Sequence, residues 1–111
     1  MIYSIPAIAE AVLPIAEKYG LRSVYLFGSY ARNEATEKSD VDLLIDTTGT
    51  QLKGLFALGA LYCELEDALQ KKIDLVTLRS LEQKTLMPVN EVFRENVLRE
   101  RILLFNLVPV P

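Results

Sequence analysis

Two short apolar runs constrain the fold of this chain more than any other feature. Residues 22–28 are rich in β-branched and aromatic side chains, and residues 40–46 place three consecutive aliphatic side chains between acidic ones. Such runs are typical of strands buried in the middle of a sheet. Residues 72–77 predict a third strand, and residues 101–105 predict a short last strand.

Helical periodicity fills the intervals between these strands. The spacing of apolar residues predicts helices over residues 4–19, 51–70 and 88–100, with a short helix over 30–34. Because helices and strands alternate, helices should cover at least one face of a sheet that has some parallel pairs. The predicted fold class is therefore α/β (α+β), with a small mixed sheet of three to four strands flanked by helices.

The apolar patterns also predict how each helix is arranged. Ser4 and Gly20 should begin and end the first helix, whereas Pro14 should kink or split it. On the long helix we expect the inner side to comprise Leu52, Leu55, Phe56, Gly59, Tyr62, Cys63 and Leu69. On the last helix the predicted inner residues are Val89, Val92, Phe93 and Val97. The charged face predicted to be exposed there comprises Glu91, Arg94, Glu95, Arg99 and Glu100.

Composition narrows the classes of protein to consider. With 111 residues, half of them apolar, residues 1–111 should form a single domain. A net charge of −3 does not indicate a nucleic-acid-binding surface, and no apolar run is long enough to span a bilayer. The first residues lack the basic start of a signal peptide. Because the single cysteine, Cys63, cannot form an internal disulfide, we expect a cytoplasmic protein.

The chain contains no histidine. Ser-His-Asp catalysis, Cys-His catalysis and histidine-ligated zinc sites are therefore excluded. The 15 acidic residues instead favour a hard cation held by carboxylate oxygens, for which magnesium is the natural candidate.

A Gly28-Ser29 pair ends the first predicted strand. Glycine allows a close approach of backbone to a ligand, and the N–H groups that open the next helix suit phosphate oxygens. Ser29 is the predicted N-cap of that helix, and Arg32, one turn further, could reach the same anion. An ordinary strand-to-helix turn without a ligand explains the same residues.

Three carboxylates are candidates for a metal centre. Asp40 and Asp42 are two residues apart, so on a strand they point to the same face, where a cation would relieve their repulsion. Asp74 interrupts an otherwise apolar strand. If the strands 40–46 and 72–77 are neighbours, all three carboxylates converge in a geometry suited to two-metal phosphoryl transfer. Solvated acids at strand ends are the alternative.

These motifs together resemble a known family. Residues 28–45, GSYARNEATEKSDVDLLI, are similar to the signature of the nucleotidyltransferase superfamily that includes DNA polymerase beta, and most similar to its minimal nucleotidyltransferase (MNT) group. The resemblance implies that Gly28 and Ser29 hold nucleotide phosphates, with Arg32 and Ser39 among the nucleotide-binding residues. It also implies that Asp40, Asp42 and Asp74 are catalytic and bind two Mg²⁺ ions. Asn33 stands where the family usually has glycine.

The resemblance further implies an activity and a partner. Members of the group are similar to antitoxins that transfer AMP from ATP to a tyrosine of a HEPN-domain ribonuclease toxin, so we expect ATP as substrate, a hetero-oligomer with a HEPN protein and no direct nucleic-acid or membrane binding. Two alternatives stay open: an antitoxin that neutralises its partner by binding alone, and a nucleotidyltransferase that acts on a small molecule. The apolar tail 107–111 is either a docking surface or part of the chain's own core.

Overall fold

The computed structural model describes residues 2–52, 54–82 and 88–107. Its helices are α1 (Ile5–Tyr19), α2 (Gly28–Ala31), α3 (Gly54–Leu69), α4 (Leu78–Glu82) and α5 (Pro88–Glu100). Its strands are β1 (Ser23–Phe27), β2 (Val41–Asp46), β3 (Ile73–Thr77) and β4 (Ile102–Asn106). The predicted order of elements is confirmed, and α4 is an additional short helix that the apolar pattern did not predict.

The strands form one sheet in the order β3-β2-β1-β4. β1 pairs antiparallel with both β2 and β4, whereas β2 and β3 are parallel and are connected through α3. A parallel pair requires such a crossover connection. The prediction of a mixed sheet with three to four strands flanked by helices is confirmed, and the two most apolar runs are its central strands.

The alternation of side chains along β2 divides the core between the two faces of the sheet. Val41, Leu43 and Ile45 are fully buried in the cluster that includes α1 and α3. Leu44 points the other way and packs with Leu81 and with Val97 of α5. Because residues two apart share a face, Asp42 lies on the Leu44 side. The functional face of the sheet is thus the one that α4 and α5 cover.

Helix α1 has the predicted caps at both ends, but it is not split at Pro14. The Oγ of Ser4 accepts a hydrogen bond from the N–H of Ala7 at 3.2 Å, and Gly20 adopts the left-handed conformation with φ of 65°. The helix is not split at Pro14 but runs through it. Pro14 is exposed, so the Glu10 carbonyl that it leaves unpaired lies on the solvent side.

The start of α2 differs from the prediction. The helix begins at Gly28, and Phe27 occupies the N-cap position without a side-chain hydrogen bond. Ser29 is therefore inside the first turn and is not the cap. The reason is that Gly28 has a φ of +74°, which turns the chain from strand to helix one residue earlier than a serine cap requires.

The predicted inner faces of α3 and α5 are partly wrong. Leu55 and Phe56 are 89% and 97% exposed, and Cys63, expected in the core, is exposed as well. Leu69 is buried as predicted, and the other buried residues of α3 are Leu61 and Leu65, which precede it at intervals of four. On α5, Val97 is buried, Val92 and Phe93 are exposed, and the Val89 side chain lies outside the described residues. Because α3 has apolar residues on all sides, the sequence alone did not distinguish the face that packs on the core from the face that is exposed.

The observed buried face of α3 predicts that Leu65 and Leu55 contribute very differently to the free energy of unfolding. Leu65→Ala should lower the free energy of unfolding by about 2–4 kcal/mol, because it removes buried methyl groups and leaves a cavity. Leu55→Ala should change it by less than about 0.5 kcal/mol, because that side chain is already in water. Urea titration of both variants measures the two values. Equal losses would contradict the observed helix face.

The last strand and the tail complete the described chain. β4 is shifted by one residue from the predicted 101–105, and the N–H of Leu107 donates to the carbonyl of Arg22 at 2.8 Å. Residues 108–111, where the tail was predicted to dock or to pack, lie outside the described residues. None of the helices in the described part of the chain is long and apolar enough to cross a membrane.

Candidate active site

The Asp42 carboxylate lies directly against Gly28. A Cβ atom built on Gly28 would lie 2.0 Å from Oδ2 and 2.8 Å from Cγ of Asp42. The carboxylate therefore occupies the space that any other residue would need, and the φ of +74° independently favours glycine. This residue pair joins the phosphate-binding turn predicted from the sequence to the predicted metal ligands.

Asp42 and Asp74 lie side by side on β2 and β3. The two strands are parallel, and Asp42 is the direct register partner of Asp74. Adjacent strands are about 4.8 Å apart, so the two carboxylates share one face of the sheet. Asp40 precedes β2 by one residue. The expectation that the strands 40–46 and 72–77 are neighbours is confirmed.

The Asp42 carboxyl group is partly buried and lies near two other carboxylates. The pKa of Asp42 is raised from its usual 3.8 to about 6, first by burial and then by the negative charges of Asp74 and Asp40. Arg32 acts in the opposite direction and lowers this pKa. A bound cation would remove the repulsion, which is the behaviour expected of metal ligands.

A small pocket opens above these carboxylates, and α5 forms one of its walls. Its volume is about 240 Å³, and its lining includes Gly28, Arg32, Asp42 and Asp74. The wall from α5 consists of Phe93, Asn96, Val97 and Glu100, which repeat at helical spacing. The rings of Phe93 and Phe27 meet edge to face, with centroids 6.0 Å apart.

The sequence did not predict that polar residues of α5, Asn96 and Glu100, line this pocket. Glu100 was assigned to an exposed charged face, but its side chain is only 22% exposed and lines the pocket. Phe93, Asn96, Val97 and Glu100 recur at helical spacing, which places them on one face of α5. This face was not recognised because it mixes apolar and polar residues, and only apolar stripes were interpreted as inward-facing.

Arg32 is where the sequence placed it, at the pocket beside the predicted phosphate turn. Its Nε lies 2.8 Å from Oε1 of Glu34, and its Nη1 lies 3.0 Å from Oε2 of Glu100. Both carboxylates raise the pKa of Arg32. The guanidinium thus stays charged and is held between α2 and α5.

The remaining predicted residues lie in α2 and in the loop between α2 and β2. Asn33 has a φ of 61°, which confirms that asparagine supports the left-handed turn where the family usually has glycine. The Oγ of Ser39 accepts a hydrogen bond from the N–H of Thr36 at 2.8 Å and so stabilises the loop before β2. Among described residues the pocket lining does not include Ser29, Ser39 or Asp40, whose roles at a nucleotide stay predictions.

Comparison with known families identifies the family of this chain. The sequence profile of the family described as "Polymerase beta, Nucleotidyltransferase" matches residues 10–107. The chain belongs to the polymerase beta nucleotidyltransferase family. Members of this family generally use a nucleotide substrate and a divalent metal ion.

Two relatives are close in sequence. MJ0435 of Methanocaldococcus jannaschii, provisionally named a protein adenylyltransferase, is 40% identical over 78 residues, which are 70% of this chain and 82% of that protein. The protein adenylyltransferase MntA of Thermococcus cleftensis is 40% identical over 68 residues, which are 61% of this chain and 67% of that protein.

Solved structures share the fold. A protein provisionally named a minimal nucleotidyltransferase matches with a TM-score of 0.63 at 39% identity, over 86% of this chain and 88% of that chain. A toxin–antitoxin complex with AMP-PNP matches with a TM-score of 0.68 at 23% identity, over 88% and 73%. A complex of tri-AMPylated Shewanella oneidensis HEPN toxin with MNT antitoxin matches with a TM-score of 0.61 at 22% identity, over 89% and 70%.

The carboxylates have the oxygen donors that a divalent metal ion needs, but the described side chains are not arranged as a complete metal-binding site. Their oxygens are the donors that Mg²⁺ prefers. The raised pKa of Asp42 results first from burial and then from the charges of Asp74 and Asp40, and a cation would relieve the repulsion between these charges. In residues 2–52, 54–82 and 88–107, no three acidic, cysteine or histidine side chains are arranged to hold a metal. Carboxylates without a cation repel, so convergence of all three stays a prediction.

The raised pKa of Asp42 predicts a pH dependence of stability in the absence of metal. Because the folded pKa of about 6 exceeds the usual 3.8, the folded state binds the proton more tightly, and this stabilisation is lost as pH rises through about 6. With a discount for partial exposure, the loss is on the order of 1–2 kcal/mol. Urea titrations of wild type and Asp42→Asn in chelator measure it. The stability advantage of the variant should grow from acid to neutral pH, and a pH-independent difference would contradict this assignment.

Proposed function

We propose that this chain transfers AMP from ATP to a tyrosine hydroxyl of a partner protein of the HEPN toxin class, and that it acts as the antitoxin of that partner. The observation that carries the proposal is the packing of the Asp42 carboxylate, paired with Asp74, against the phosphate turn at Gly28. Relatives named as protein adenylyltransferases, at 40% identity, support AMP as the group transferred.

Each predicted residue has a role in this reaction. Asp40, Asp42 and Asp74 would hold two Mg²⁺ ions, which neutralise charge on the phosphates and on the leaving group when bound. The backbone at Gly28 and Ser29 leaves room and N–H donors for phosphate oxygens. Arg32 supplies the cation of the pocket, and we place Ser39 at its nucleotide-binding rim.

The reaction exchanges one phosphorus–oxygen bond for another. The tyrosine oxygen attacks the α-phosphorus of ATP, and the bond from this phosphorus to the oxygen bridging the β-phosphate breaks. The hydroxyl proton passes to the carboxylate of Asp74, which acts as general base. The products are a tyrosine that carries AMP through its oxygen, and pyrophosphate.

A protein acceptor suits the size of the pocket. Its 240 Å³ is below the about 300–1,000 Å³ typical of pockets that enclose a small ligand, so a bound nucleotide would protrude toward solvent. A partner that covers the mouth would complete the site and supply the acceptor. We infer that residues 1–111 work as a single nucleotidyltransferase domain in a hetero-oligomer with the HEPN protein, without direct nucleic-acid binding.

Label transfer tests the proposal. The purified chain is incubated with α-labelled ATP, Mg²⁺ and extract of its own host cells, with parallel reactions in chelator. We expect one labelled protein band that requires both the extract and the metal, and peptide mass spectrometry should locate AMP on tyrosine. Label on a small molecule, or no label although a HEPN partner is present, would contradict it and favour a small-molecule transferase or neutralisation by binding.

A further inference from the structure

Arg32 is bound by two carboxylates that differ in position. Glu34 lies two residues along the chain, and its side chain is 65% exposed. Glu100 comes from the last residue of α5, 68 residues away, and is 22% exposed. Of these two carboxylates, that of Glu100 lines the pocket together with Arg32, and that of Glu34 does not belong to the described lining. The Arg32–Glu100 pair therefore joins α2 to α5 across the wall of the pocket.

The charge around the pocket opposes an anionic ligand. Its charged lining residues, within the part of the chain that the structure describes, are Arg32, Asp42, Asp74 and Glu100. Three of these side chains are acids, and the positive charge of Arg32 is already engaged by Glu34 and Glu100. A triphosphate that enters this pocket therefore shares the positive charge of Arg32 with these two carboxylates.

The Glu100 carboxylate and a phosphate oxygen are acceptors of the same kind. Both are oxyanions that accept short, charge-assisted hydrogen bonds from the N–H groups of a guanidinium. The pair geometry, 3.0 Å between Nη1 and Oε2, holds the guanidinium at the pocket before a nucleotide arrives. A phosphate oxygen that accepts a hydrogen bond from Nη1 competes with Glu100 for this donor group.

We propose that Glu100 is a positioning residue that holds Arg32 at the pocket in the nucleotide-free protein and releases it to a nucleotide phosphate. This inference rests on the proposed function, since it takes the ligand to be a nucleoside triphosphate. Glu100 then sets the nucleotide affinity through Arg32. Because Glu100 ends α5, nucleotide binding also loosens the link between α5 and α2, at the wall that carries Phe93.

Equilibrium binding of AMP-PNP with Mg²⁺, measured by titration calorimetry without any acceptor, tests this role. Glu100→Gln keeps a hydrogen-bond acceptor but removes the competing charge, so AMP-PNP should bind about three- to tenfold more tightly. Glu34→Gln is the matched control: it removes the same charge beside Arg32 but outside the pocket, and should change the affinity less than about twofold.

A double-mutant cycle with Arg32→Gln separates action through Arg32 from direct repulsion. In the Arg32→Gln background, Glu100→Gln should no longer tighten binding, because the competition for the guanidinium is gone. A merely structural role cannot produce a gain in affinity that depends on Arg32.

Three outcomes with the variants would overturn the inference. The first is unchanged or weaker binding in Glu100→Gln, the second is an equal gain in Glu34→Gln, and the third is a gain that persists without Arg32. A wild type that binds no AMP-PNP overturns both the inference and the proposed function. A wild type that shows the expected pattern of AMP-PNP binding but transfers no AMP to protein contradicts the proposed function alone.

Discussion

Asp42→Asn should abolish AMP transfer while leaving a folded and more stable protein. The variant keeps the shape of the side chain but loses the charge that the phosphate-bound metal needs, so we expect a loss of at least roughly 10²–10³-fold in rate. In the absence of metal it also removes the charge of Asp42, whose pKa is raised to about 6 by burial and by the charges of Asp74 and Asp40. The melting temperature should therefore rise by about 4–8 °C at neutral pH.

A second aspartate of the same strand provides the control. Asp46 lies at the opposite end of β2 and on the same face, where its Oδ1 accepts hydrogen bonds from the backbone and side chain of Thr48. Asp46→Asn makes the same chemical change far from Gly28 and should retain transfer. The rates come from label transfer and the melting temperatures from calorimetry. Equal activity in both variants would show that the carboxylate at position 42 is not required.

Gly28→Ala should remove activity through a single added methyl group. Its Cβ would lie 2.0 Å from Oδ2 of Asp42, so the carboxylate must swing away from Asp74 and from the phosphate turn. The positive φ adds a backbone cost of about 1–2 kcal/mol. We expect transfer to fall by roughly 10²-fold or more, since misplacement of this size disrupts a reacting geometry.

Gly20→Ala separates the backbone effect from the displacement of Asp42. Gly20 also has a positive φ, of 65°, but a Cβ there would meet nothing within 4 Å. The two variants should lose a similar free energy of unfolding from backbone strain, of about 1–2 kcal/mol, while only Gly28→Ala loses transfer. If Gly28→Ala keeps wild-type transfer, the close contact with Asp42 has no functional importance.

The parts of the site that were predictable are those specified by local spacing. The Gly28-Ser29 turn and the two-residue spacing of Asp40 and Asp42 are properties of neighbouring residues. The pairing of Asp42 with Asp74 could also be anticipated, because a helix between two apolar strands favours a parallel neighbour. The contact between Gly28 and the Asp42 carboxylate was not foreseen, since it depends on how α2 sits against β2.

The parts that escaped prediction depend on tertiary packing. Apolar residues surround α3, so periodicity alone could not choose Leu61 and Leu65 over the exposed Leu55 and Phe56. On α5 the polar Glu100 faces the pocket because Arg32, 68 positions earlier, pairs with it. A charged residue is assigned to solvent by default, and only the assembled fold reveals that a residue distant in sequence pairs with it.

The position of the label in ATP tests the central claim most directly. Wild-type protein, Mg²⁺ and the acceptor protein identified by label transfer are incubated in parallel with α-labelled and with γ-labelled ATP. AMP transfer predicts a protein that carries the α label only, with the γ label recovered in pyrophosphate, and no labelled protein with Asp42→Asn. A protein that carries the γ label, or an α-labelled protein formed equally by Asp42→Asn, would contradict adenylyl transfer at this site.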